Sequence, residues 1–212
     1  MIKFKQYLLN ENKDLDQQLI NAARDGNLNL VKKLVDQGAD IHAYNDVALR
    51  WVSYRGHLEI VKYLISKGSD IHALNDEALK NTVKYGYLGI VKYLVSQGAD
   101  IRVENDYVLR SASQNGHLDI VKYLIEKGAD IHAENDQALI LANIYNHFEI
   151  VRYLIRQRAD ITEKMKIPED VQEIAIKNNP ENILNIKNLR DDLKEKYKHL
   201  LKADKFGMFS DD

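Results

Sequence analysis

One spacing constrains this chain more than any other feature. Gly26, Gly56, Gly86 and Gly116 recur every 30 residues, and so do Gly38, Gly68, Gly98 and Gly128. Asn-Asp returns at 45–46, 75–76, 105–106 and 135–136, and Asp-Ile at 40–41, 70–71, 100–101, 130–131 and 160–161. A fixed period of this size marks a solenoid, whose units bury their apolar faces only by stacking on one another. Five registers run from about Leu15 to about Lys164.

Each unit reads as two short helices. In the second, Asp46 is expected to be the N-cap, its carboxylate accepting from first-turn amides. Ala48, Leu49 and Val52 form a narrow apolar stripe, and Gly56 ends the helix in left-handed backbone. The second helix runs from Leu58 to Lys67, with Leu58, Val61, Leu64 and Ile65 on one face and Glu59 and Lys62 in solvent. Ser69 to Ala73 is an extended connector.

These units resemble ankyrin repeats. The family's Gly-His pair matches Gly56-His57 and Gly116-His117, and more loosely Asn146-His147; its apolar second helix matches the segments from Leu58 and Leu118. Its Gly-Ala-Asp ending matches 38–40, 98–100 and 128–130. The resemblance implies an all-α solenoid of stacked helix-turn-helix units that grips another protein on its concave face. Two departures stand out. The unit has 30 residues where the family's has about 33, which is similar to the arrays of large DNA viruses. Asp46-Val47-Ala48-Leu49-Arg50 replaces the Thr-Pro-Leu-His entry, so a blunt finger is expected.

The array is expected to occupy residues 15–164, behind an N-terminal cap segment (1–14). A C-terminal helical cap and tail (165–212) should close the far end of the stack. Asp16-Gln17-Gln18 makes the first unit more polar than the inner ones, and Arg158 stands where other units carry glycine. Pro168 with Glu169 and Asp170 predicts a helix start whose apolar face is Val171, Ile174 and Ala175. A short helix over Glu181–Ile186 and a third from Leu189 to about Ala203 are expected to follow. The segment from Pro168 to Asn188, and the opening Lys3-Phe4-Lys5-Gln6-Tyr7-Leu8, look like segments of tailed-phage proteins.

Composition removes several function classes. With no cysteine there is no disulfide, thiolate nucleophile or cysteine zinc site, and a reducing cytoplasm suits such a chain. No apolar run approaches the roughly 20 residues that cross a bilayer. The opening has no apolar leader core, so no secretory signal is expected. The formal net charge of −2 offers no general attraction for nucleic acid. The lysines Lys194, Lys196, Lys198, Lys202 and Lys205 could supply a patch for nucleic acid, the lesser alternative, but Asp191, Asp192, Glu195 and Asp204 are interleaved with them, which reads as a solvated helix face.

No catalytic constellation, cofactor motif or metal site is expected. His57, His117 and His147 occupy a turn position where structural hydrogen bonding is the simpler role. His42, His72 and His132 lie in connectors at least one repeat step apart, roughly 10 Å, too far to share one metal. The Asn-Asp pairs read as caps rather than calcium ligands, which need six or more clustered oxygens.

Columns that stay identical between units report what the fold needs. Tyr63, Tyr93, Tyr123 and Tyr153 form such a column and are expected to pack along the stack. Columns that vary are open to another use, and here they are rich in the residue types that anchor interfaces. Tyr54-Arg55, Lys84-Tyr85, Gln114-Asn115 and Ile144-Tyr145 end successive first helices. Tyr44, Trp51 and Tyr107 lie in neighbouring variable columns. The candidate partner-binding set is therefore Tyr44, Trp51, Tyr54, Arg55, Lys84, Tyr85, Tyr107, Gln114, Asn115 and Tyr145. The leading expectation is a non-enzymatic protein-binding module, with the viral resemblance implying a sequestered host protein. The alternative is a self-assembling scaffold, joined through the end helices or the apolar, acidic tail Phe206–Asp212.

Overall fold

In a computed structural model of the chain the backbone is described for residues 2–157, 159, 161, 165–182, 186 and 188–196, and side chains from residue 13 onward. Arg158, residues 183–185 of the helix expected over Glu181–Ile186, and Phe206–Asp212 lie outside the described residues. The chain divides into two compact units, Met1–Val103 and Glu104–Asp212.

The first unit holds three helix pairs. These are α1 (Ile2–Arg24) with α2 (Leu28–Asp36), α3 (Ala43–Arg55) with α4 (Leu58–Ser66), and α5 (Ala73–Lys84) with α6 (Leu88–Ser96). α1 is continuous, so the chain's opening segment and the first helix of the first repeat are one element. The second unit holds α7 (Val103–Gln114) with α8 (Leu118–Glu126) and α9 (Ala133–Ile144) with α10 (Phe148–Arg156). It ends with α11 (Glu169–Asn178) and α12 (Asp191–Lys196). The described helix α12 thus begins at Asp191 rather than Leu189, and Tyr197 onward is outside the description.

The core repeats as the sequence does. Ala48, Leu49 and Val52 are buried in α3, and their counterparts Ala78, Leu79 and Val108, Leu109 in α5 and α7. In the second helices the fully buried set is Ile60, Val61 and Leu64, with Leu58 and Ile65 only half-buried. The expected face is thus rotated by part of a turn toward Ile60. That rotation follows from packing on both sides: a stacked helix meets a neighbouring repeat as well as its own partner helix. On α11 the same correction applies, since Ile176 rather than Ile174 completes the buried face with Val171 and Ala175.

The repeat tips depart most from expectation. Three consecutive non-glycine residues turn left-handed in each: Tyr44-Asn45-Asp46, Leu74-Asn75-Asp76, Glu104-Asn105-Asp106 and Glu134-Asn135-Asp136. Across the four tips their φ values lie between 51° and 57°, and each such residue costs about 1–2 kcal/mol against right-handed backbone. Asn and Asp tolerate this region better than other side chains, which is why that dipeptide recurs. Asp46 is therefore not the cap of a helical first turn. Its buried carboxylate, 4% exposed, reaches the end of its own unit and accepts from the Asp70 N–H at 2.9 Å. Asp76 accepts from Asp100 N–H and Asp106 from Asp130 N–H at the same distance, and Asp16 from Asp40 N–H at 2.7 Å. His42, His72 and His132 donate from Nδ1 to Asp46, Asp76 and Asp136. The left-handed tips place a buried carboxylate where it ties the start of a unit to that unit's own Asp-Ile ending.

Gly56 shows why glycine recurs after the first helix. Its φ is +79°, and a Cβ there would lie 2.7 Å from the Tyr87 ring of the next repeat. His57 and His147 stack on Gly26 and Gly116 in the same manner, and each donates from Nε2 to a carbonyl of the preceding repeat, Arg24 and Gln114. A carbonyl can only accept, so the bond fixes which ring nitrogen carries the proton. These two histidines are structural.

α11 packs on α10. Arg152 donates to both oxygens of Asp170 at 3.0 and 2.9 Å, and Asn178 caps the Ile155 carbonyl. Gln172 is fully buried with its amide satisfied, donating to the Ile167 and Asn188 carbonyls and accepting from Arg190 N–H. α11 thus packs against the last second helix, α10.

Candidate functional site

α3 and α5 lie side by side, and the variable residues of both meet in one groove. Val47, Arg50, Trp51, Tyr54, Glu77, Asn81, Lys84 and Tyr85 line a cavity of about 460 Å³. A four-residue step on a helix returns to the same face, so Val47, Trp51 and Tyr54 on α3 oppose Glu77, Asn81 and Lys84 on α5.

The rings form a connected cluster. Trp51 meets Tyr54 edge to face at 5.5 Å, Tyr54 meets Tyr85 edge to face at 4.6 Å, and Tyr85 stacks on Tyr87 at 6.5 Å. Such contacts prefer offset or edge-on geometry because the ring face is negative and its edge positive. The faces also attract cations: Arg55 lies over Tyr54 at 5.6 Å and Lys84 over Tyr85 at 5.5 Å. The Tyr54 hydroxyl, through a hydrogen bond, holds the Tyr85 phenol above its ordinary titration range, with burial adding a smaller push. Despite this packing, Trp51 remains 36% and Tyr85 39% exposed.

Arg50 holds the floor. Its guanidinium donates to Glu77 across the joint at 2.9 Å and to the Asn45 and Tyr44 carbonyls at 3.1 and 3.0 Å. It therefore clamps the left-handed tip and the next repeat together. Periodicity did not single out Arg50; its signal was an Arg that returns only at Arg110, opposite a variable partner column.

The remaining predicted residues fall elsewhere. Tyr44 sits at its tip, 61% exposed, with Leu74 at the next tip. Tyr107, Gln114, Asn115 and Tyr145 belong to the second unit. There Arg110 lies over the Tyr107 ring at 5.7 Å, and Gln114 donates to the Tyr145 hydroxyl at 3.1 Å. Asn115 turns back to its own helix, donating to the Ser111 carbonyl. The structure thus brings Trp51, Tyr54, Lys84 and Tyr85 into one groove, with Arg55 stacked beside it.

Among the described residues no group of three or more His, Asp or Glu is arranged to hold a metal, and no helix is long and apolar enough to cross a membrane.

Ankyrin-repeat models match residues 3–75, 19–105 and 79–165, together more than half of the chain. The chain belongs to the ankyrin repeat family. Curated proteins provide no match. Ankyrin repeats are generally protein–protein interaction modules without enzymatic activity. In this ankyrin array the groove lies between the first helices α3 and α5, while the tyrosine column that is identical from repeat to repeat lies on the second helices. Burial pushes Tyr63, Tyr123 and Tyr153 above the ordinary phenol range, with Asp36 and Glu126 adding to the first and last. Lys32 and Lys67 flank the Tyr63 ring at 5.8 and 5.5 Å, which suits a packing role for that column.

Proposed function

We propose that this chain binds a protein partner through the first helices and tips of its repeats, with the Trp51–Tyr54–Tyr85 groove as the anchor. The observation that carries this reading is the exposed aromatic cluster. Tyr, Trp and Arg dominate the energetics of interfaces, and rings left in water need a reason. Tyr44, Arg55 and Lys84 supply further contacts in the same unit, and Tyr107, Gln114, Asn115 and Tyr145 are the candidate contacts of the second unit. The 30-residue unit, like those of viral arrays, supports a host regulatory or defence protein as the partner, sequestered rather than processed. The cysteine-free composition suits a meeting in the cytoplasm.

The test is capture from a cell lysate by full-length protein and by Tyr54→Ala with Tyr85→Ala. The pair should weaken the recovered complex at least about tenfold while leaving the thermal midpoint in place. Retained capture by the pair, with capture lost in Lys62→Ala with Lys122→Ala, would move the working surface to the second helices.

A further inference from the structure

The groove between α3 and α5 changes character along its length. Positions 47, 51 and 54 on α3 stand thirty residues before 77, 81 and 84 on α5, so it runs along both helices. At 1.5 Å per residue, Val47 to Arg55 spans about 12 Å. At the tip end Val47 lines the groove, Glu77 is taken up by Arg50 at 2.9 Å, and Tyr44 and Leu74 stand exposed on the adjoining tips. At the other end the exposed cations Arg55 and Lys84 lie over the Tyr54 and Tyr85 rings. The positive charge is a local excess. The stretches 47–55 and 77–85 carry four cations, Arg50, Arg55, Lys80 and Lys84, against the one acid Glu77, in a chain whose net charge is −2. Asp25, one unit before Arg55 in the same column, is paired with Arg24 at 3.1 Å. The matching stretches of the second unit, 107–115 and 137–145, carry the single cation Arg110 and no acid.

We propose, resting on the groove as the docking surface, that the partner protein presents to it an acidic segment with an apolar anchor. One or two large apolar side chains pack at the tip end, against Val47 and Trp51, and a pair of carboxylates meets Arg55 and Lys84. An extended chain advances about 3.3 Å per residue, so about 12 Å sets anchor and carboxylates about four residues apart. Apolar area removed from water supplies affinity, and the two cations select the sign of the charge. A guanidinium stacked on a ring through its face still donates from its edge, so Arg55 can hold a carboxylate without leaving Tyr54. The middle of the groove, where Arg50 and Glu77 neutralise one another, suits neutral residues. Single-stranded nucleic acid fits this arrangement less well, because its phosphates need cations along the whole track and here they stand at one end. A methylated ammonium is attracted by such rings but repelled by the same two cations.

Trp51 is the only tryptophan in the chain, so its emission reports on the groove alone. The probes are synthetic peptides added to the full-length protein, with Leu-Phe and Asp-Glu joined by zero to six Gly or Ser residues in both orders. Matched sets carry Ser-Ser or Lys-Lys in place of Asp-Glu. The acidic set should move Trp51 emission to the blue saturably and bind about tenfold more tightly than the Ser set, best with about two to four intervening residues. Raised salt should remove most of that advantage. Arg55→Glu with Lys84→Glu should pass the preference to the Lys set. If that variant melts early, Arg55→Gln with Lys84→Gln should still bring the acidic and Ser sets within about twofold of one another. Equal affinity of the acidic and Ser sets for the unaltered protein overturns the proposal, as does a preference for the Lys set. So does tighter binding of a short oligouridylate than of any acidic peptide, or a Trp51 that responds to no peptide at millimolar concentration. Lysate capture separates such a failure from failure of the docking surface: capture lost in Tyr54→Ala with Tyr85→Ala but kept in Arg55→Glu with Lys84→Glu retains the groove and discards the acidic partner.

Discussion

The same surface is built twice, sixty residues apart, and the two versions differ. In the first unit Val47, Arg50, Trp51, Tyr54, Glu77, Asn81, Lys84 and Tyr85 line the groove. Their counterparts in the second unit are Tyr107, Arg110, Ser111, Gln114, Gln137, Leu141, Ile144 and Tyr145. The cores beneath are alike, with Leu64 and Leu124 both fully buried. The floor arginine shows the difference most clearly. Arg50 has partners for Nε and both terminal nitrogens, including the Glu77 carboxylate. Arg110 keeps the tip carbonyl of Glu104 at 2.9 Å, but Gln137 replaces the carboxylate and its buried Nε has no partner. Two of three ring positions are gone, and Ile144, 63% exposed, stands in place of Lys84. The tips change as well, from Tyr44 and Leu74 to Glu104 and Glu134. The fold requires the column beneath and leaves the column above open to separate use in each unit.

The largest expected effect tests the claim of equal cores. Leu64→Ala and Leu124→Ala should each cost about 2–5 kcal/mol in urea unfolding, because each leaves a cavity that stacked helices cannot close. Values that differ by more than about 1.5 kcal/mol would show that the two units are not packed alike.

The next effect tests the claim of unequal surfaces. Beside the Tyr54, Tyr85 pair, the equivalent Gln114→Ala with Tyr145→Ala should weaken the captured complex by less than about threefold, under 1 kcal/mol. Equal losses from the two pairs would make both units part of one epitope. Lys62→Ala with Lys122→Ala, on the second helices, should change neither binding nor melting beyond error. The Lys62–Glu59 pair is exposed, and such pairs contribute little.

Smaller still is the floor arginine. Gln137→Glu should rebuild the Arg50–Glu77 clamp around Arg110 and raise stability by about 0.5–1 kcal/mol in the same titration. A destabilised variant would mean that Arg110 cannot turn toward position 137.

The smallest effect is common to both units. Tyr63 and Tyr123 have raised folded-state pKa values, so folding favours the neutral phenol. Their contribution is complete below the unfolded tyrosine range near about pH 10 and is lost as pH rises through the folded values. Thermal midpoints should therefore fall above that range, and Tyr63→Phe with Tyr123→Phe should flatten the decline. An unchanged slope in the double variant would assign the alkaline loss to other groups.

Much of this molecule was determined by the sequence alone, because periodicity is a local record of a global constraint. A unit that repeats every 30 residues must stack, so its identical positions, Leu49 and Leu79 or Val61 and Val91, had to be core. Glycine spacing located the helix ends for the same reason. Tertiary structure decided what local pattern cannot encode. Asn-Asp read as a helix cap, but the left-handed tip turns Asp46 toward the Asp70 amide at the far end of the same unit. The apolar face of the second helices rotated to Ile60 because two neighbours, not one, compete for it. Trp51 and Tyr85 are thirty-four positions apart, and only the stacking of α3 on α5 makes them one groove over Arg50 and Glu77. A column shows where a side chain can project; which projections converge depends on the register between helices, and that is set by packing across the joint.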